Sequence, residues 1–194
     1  MSSNKIIGSI VLTVFAFSIY RNFFVNAGEK KNPPDAIVFI AVSEEESKKA
    51  IKQINEYRKK NGKPPINYSS KAYNLAMARA KDMNQYNYYD FTNPQTNLCT
   101  DKIKEQYGFK PTEYLAESLN KYSAIGVNVR PEAKTLSQVT IEWIDEYIAK
   151  RTIDENFLYD KHLAGAVGCD GNKCVFLGLN EEGFGKDCVT NKKS

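Results

Sequence analysis

Residues 163–179 read LAGAVGCDGNKCVFLGL, and this stretch decides the fold. Two runs of small and β-prone residues, 163–169 and 174–179, flank Asp170-Gly171-Asn172-Lys173, which forms turns throughout. The pattern predicts an antiparallel hairpin. Upstream, residues 135–151 (TLSQVTIEWIDEYIAKR) predict a helix. Leu136, Val139, Trp143 and Tyr147 mark one side of it, and Ile141, Ile144 and Ile148 another. A helix apolar on two sides is expected to pack on two sides. A further short strand is expected over residues 117–122, and a short helix over 100–107 ended by Gly108. Residues 69–86 predict a helix with the stripe Tyr73, Ala76, Met77, Ala80 and Met83, whose alanines imply close packing. Ser43 and Glu46 form a capping-box pattern that opens the first helix, which Gly62 and Pro64-Pro65 stop. Helices come first and the hairpin last, so the expected class is α+β.

The N-terminal end reads differently. Residues 6–20 (IIGSIVLTVFAFSIY) carry no charge, with Lys5 before them and Arg21 after. As a helix they span about 22 Å, short of the ~30 Å hydrocarbon core unless the run extends to Val25. Residues 1–27 are therefore read as an export segment. It is either a cleaved signal with Val25-Asn26-Ala27 as the cleavage site, or an anchor touching the membrane through residues 6–25. Residues 28–42 are read as a linker and extended arm, and 43–190 as the folded domain. Removing residues 1–27 takes away Lys5 and Arg21 and no acid, which halves the net charge of +4. A near-neutral domain gives no support for nucleic-acid binding.

The single histidine, His162, excludes any site built from two histidines. Cys169 and Cys174 fall at facing positions of the hairpin, close enough to bridge. Cys99 and Cys188 then pair by exclusion, one of three possible connectivities. A C-x₄-C metal half-site is the competing reading. Asn67-Tyr68-Ser69 is a weak glycosylation sequon.

Taken in order, several segments form a familiar set. They are Ile54-Asn55-Glu56-Tyr57-Arg58 with Pro64-Pro65-Ile66, an Ala/Met helix ending in Tyr86-Asn87-Tyr88-Tyr89, and Thr92-Asn93-Pro94. Ala116-Glu117-Ser118-Leu119, Trp143-x-x-Glu146 and Leu163-Ala164-Gly165-Ala166-Val167-Gly168 follow. The ordered set, over about residues 50–180, resembles the CAP superfamily of cysteine-rich secretory, antigen 5 and pathogenesis-related 1 proteins, in its prokaryotic single-domain form. The resemblance implies an α-β-α sandwich with a small antiparallel sheet between helical layers, in an exported protein.

The resemblance also implies a cleft of two histidines and two glutamates, which in several members binds a divalent metal. The glutamates carry over to Glu117 and Glu146. The histidine positions carry over to Phe91 and to about Thr152, so both imidazoles are missing. Two carboxylates without imidazole make a poor zinc site, so no cofactor is expected. The expected function is a non-catalytic module at the cell surface that binds an unidentified protein, glycan or lipid. The alternatives are a hydrolase using Glu117 and Glu146 with His162, and lipid or sterol carriage. The aromatic run Tyr86, Tyr88, Tyr89 and Phe91 is a candidate contact for an apolar or sugar-like ligand.

Overall fold

The computed structural model describes residues 40–122, 134–150 and 155–185. The hairpin lies at its centre. Strand β5 (Ala164–Asp170) pairs antiparallel with β6 (Lys173–Asn180), with Cys169 opposite Cys174. Gly171, at φ +54°, takes the first loop position, where a two-residue hairpin loop requires positive φ. Strand β3 (Tyr114–Lys121) adds antiparallel to the far side of β6. The two-residue β2 (Asn67–Tyr68) adds parallel to β5, giving the order β2-β5-β6-β3. The sheet is thus antiparallel except at this short edge. The arm expected before residue 43 contributes β1 (Ile40–Ala41), which pairs parallel with β4 (Lys134–Thr135) as a separate ribbon.

The helices form where their caps and stripes place them. Helix α1 (Glu44–Lys60) starts at Ser43, whose side chain accepts the Glu46 N–H at 3.1 Å. Three glutamates in its first turn and Arg58, Lys59 and Lys60 in its last complement the helix dipole. Helix α2 (Ser70–Gln85) starts in the same way, with Ser69 accepting from Ala72 N–H. Helix α3 (Thr100–Ile103) continues as a 3₁₀ turn to Gly108. Helix α4 (Leu136–Lys150) and the short α5 (Glu155–Leu158) complete the set.

Each sheet face buries its own cluster. Val167, Cys169, Cys174 and Phe176 meet α1, α4 and α5, with Phe157 packed edge-on between Trp143 and Phe176. Ala166, Val175 and Leu177 on the opposite face meet α2, with Leu115 beside them. This is the expected α-β-α sandwich. Helix α2 lies so close to β5 that a Cβ on Gly168 would come within 2.7 Å of the Met77 nitrogen.

Two packing expectations change. Ile141 and Ile148 are 40% and 57% exposed, so α4 packs on one side, through Leu136, Val139, Trp143 and Ile144. The buried stripe of α2 includes Leu75 and Arg79, while Tyr73 and Met77 are half-buried. Close contact at Gly168 turns the narrow alanine face, rather than the bulkier pair, onto the sheet.

Cys169 and Cys174 form the expected disulfide, with a Cα–Cα distance of 4.1 Å. Cys99 is also disulfide-bonded, and Cys188, its expected partner, lies outside the described residues. Among the described residues no helix is long and apolar enough to cross a membrane. The export segment of residues 1–27 lies outside them.

Candidate functional site

The site is built on β3 and on the segments that face it. Glu117 points to the α2 side of the sheet and is 6% exposed at its side chain. Neither of its oxygens is free. Arg79 Nε donates to Oε1 at 3.1 Å, and Thr100, the first residue of α3, donates its hydroxyl to Oε2 at 3.0 Å. Burial pushes the Glu117 carboxyl above its ordinary range, against the pull of Arg79 and Thr100.

Arg79 rises from the buried stripe of α2, and its side chain is 1% exposed. Its guanidinium joins three segments. Beyond Glu117, it donates to the Phe91 carbonyl at 2.8 Å, to the Tyr88 hydroxyl at 2.6 Å and to Asp82 at 3.3 Å. Tyr88 in turn donates to Asp82, and Asn93 Nδ2 donates to both Asp82 oxygens. The cation therefore sits between the family's first glutamate position and the backbone of the position that lacks its histidine.

A cleft of about 430 Å³ opens beside this network. Phe91, Leu119, Tyr147 and Phe184 supply its apolar lining, and Glu117, Ser118, Glu155 and Asn156 its polar lining. Asn156 is buried. Its Nδ2 donates to Ala116 O at 3.0 Å and to Ser118 Oγ at 2.9 Å. Its Oδ1 lies 2.7 Å from His162 Nε2, so the imidazole carries its proton on Nε2. The ring lies flat on Gly178, where a Cβ would come within 2.3 Å of Nε2. Burial, with the Arg58 charge behind it, lowers the His162 pKa to about 4, so the ring is neutral at pH 7.

The candidate residues thus separate. Phe91 and Glu117 line the cleft, and His162 supports it from beneath through Asn156. Glu146 does not line the cleft. It is half-exposed in the last turn of α4 and paired with Lys150, while its neighbour Tyr147 faces in. Thr152 lies outside the described residues. Tyr88 is buried in the Arg79 network, and Tyr89 is exposed. Asn67 is exposed in β2, but the Ser69 hydroxyl of its sequon caps α2. Arg79, Thr100, Glu155, Asn156 and Phe184 were not anticipated. Only Arg79 left a signal in the sequence, a cation at helical spacing within an alanine stripe.

The family-implied metal can be tested against these donors. Glu117 is spent on a guanidinium, Phe91 offers only a carbonyl that already accepts from Arg79, and Glu146 lies outside the cleft. Among the described residues no three His, Cys, Asp or Glu side chains converge to hold an ion. Among the described residues, these donors do not assemble a set that fits a divalent metal.

A family model described as "CAP: Cysteine-rich secretory protein family" matches residues 51–172. No curated protein matches the chain. Among solved structures, an extracellular protein containing a SCP domain from Bacillus anthracis is similar at 15% identity and a TM-score of 0.50. That match covers 70% of this chain and 40% of the Bacillus protein. An outer surface protein from Borrelia burgdorferi is similar at 14% identity and a TM-score of 0.51, covering 73% of this chain and 97% of that one. At these identities the likeness shows the fold.

Proposed function

Because the chain belongs to the cysteine-rich secretory protein (CAP) family, we propose that it acts outside the cell as a binding module with a metal-free, non-catalytic cleft. One observation carries this reading: both Glu117 oxygens are held by donors of the protein itself, Arg79 and Thr100. With Oε1 held by Arg79 and Oε2 by Thr100, the carboxylate is committed within the protein and presents no free oxygen to take a proton from a guest. His162 is no substitute. Its Nε2 is committed to Asn156, and its lowered pKa makes it a weak base.

The cleft's mixed lining suits a ligand with apolar and hydrogen-bonding faces. Placement outside the cell is supported by the Cys169–Cys174 bridge, which persists in oxidising compartments, and by the uncharged run at residues 6–20. The Bacillus and Borrelia neighbours are described as extracellular and outer-surface proteins, in agreement with that placement.

Elemental analysis after zinc loading and desalting tests the reading. Substoichiometric zinc is expected. One tightly held zinc per chain, lost on Glu117→Gln, overturns it.

A further inference from the structure

We propose that the cleft is one half of a longer groove that binds an oligosaccharide chain across Phe184; this rests on reading the cleft as a binding site. A second depression of about 550 Å³ lies beside the first, and the two share Glu155 and Phe184. Asn61, Lys63, Tyr159 and Asp160 line its far part. The two depressions therefore adjoin at Glu155 and Phe184, with Phe91 and Tyr147 lining the first and Tyr159 the second.

Phe184 is held in place by a dedicated cradle. The fully buried Asn180 accepts the Phe184 N–H at 3.0 Å and donates to its carbonyl at 2.8 Å. Gly185 follows at φ +81°, pressed so closely on β3 that a Cβ would come within 2.4 Å of the Ala116 Cα. The Phe184 ring stacks on Tyr159 at 4.2 Å between centroids, 25° from parallel. A ring stacked on Tyr159, on a backbone held by Asn180, is a preorganised contact surface where the two depressions adjoin.

The chemistry around it selects a polyhydroxyl chain. The stacked Phe184 and Tyr159 offer their outer surfaces to sugar C–H groups, Glu155 offers a carboxylate to both depressions, and Asn61, Lys63 and Asp160 offer hydrogen-bonding groups in the second. A peptide added as a strand is disfavoured. On β3, the edge strand, the Ala116 carbonyl is already taken by the Asn156 side chain. A guest spanning both depressions needs more than one sugar unit, so binding depends on chain length.

Calorimetry on the full chain tests this with β-1,4-linked glucose and N-acetylglucosamine tetramers, their dimers, and a lysine-rich tetrapeptide. A tetramer is expected to bind about tenfold tighter than its dimer. Phe184→Leu, which keeps bulk and loses the ring, and Asp160→Asn are each expected to erase most of that advantage. No binding by either tetramer, equal affinity for dimer and tetramer, indifference to Phe184→Leu, or binding of the peptide alone overturns the proposal. If Leu119→Ala weakens a dimer that binds no worse than its tetramer, the cleft reading stands and the extension falls. Zinc uptake bears only on the cleft reading.

Discussion

Arg79 shows what one residue does to this site. Its guanidinium is buried with Glu117 on one side and Asp82 on another. Removing it leaves two carboxylates without their cation, so Arg79→Met is expected to destabilise the fold by about 3–5 kcal/mol, read from urea unfolding. Glu117→Gln is expected to cost less, because Arg79 keeps Asp82 and Tyr88. His162 gives a pH signature. Its folded pKa of about 4 lies below the unfolded value near 6.5. Its contribution is therefore complete above pH 6.5 and is lost as pH falls toward 4, a drop of about 3 kcal/mol. Unfolding free energies for wild type and His162→Gln across that window check this, and the variant should show the shallower slope. At this scale the sequence was half legible. Periodicity could set Arg79 on a buried stripe, but its partner lies 38 residues away and meets it only through the fold. Glu146 was not legible in the same way: it is half-exposed and paired with Lys150 one turn on, while its neighbour Tyr147 lines the cleft.

At the scale of elements, pattern and position agreed. Both serine caps, the hairpin turn and the order of helices and strands follow from local rules that act within a few residues. Depth was harder to read. Ile141 and Ile148 look like a second core face, yet they face out, since burial depends on which neighbours exist rather than on hydropathy alone. The contact of α2 with β5 depends on Gly168, where an added methyl meets helix backbone on one side. Gly168→Ala is expected to cost about 1–3 kcal/mol by forcing the layers apart, measured as a lowered urea midpoint. Breaking the hairpin bridge with Cys169→Ala and Cys174→Ala is expected to cost about 2 kcal/mol, the value for a very short loop.

Across the whole molecule, the described elements all belong to the unit of residues 36–194. A chain starting at residue 36 is expected to unfold at the same urea concentration as the full chain. A clearly lower midpoint would show that residues 1–35 contribute to the fold. The α+β class was readable because the order of elements restricts how two layers can cover one small sheet. The second depression was not, since its lining comes from the loop after α1, from the short α5 and the residues after it, and from the segment following β6.

The hairpin disulfide has a consequence for how the protein is made. Both sulfurs belong to residues sealed within the core, on the two central strands of the sheet. An oxidant cannot reach them once the helices have closed over that face. The bond must therefore form while the chain is still open, ahead of final compaction. By the same geometry a reductant must wait for the molecule to open, so the rate at which dithiothreitol cleaves this bridge is a clock for unfolding.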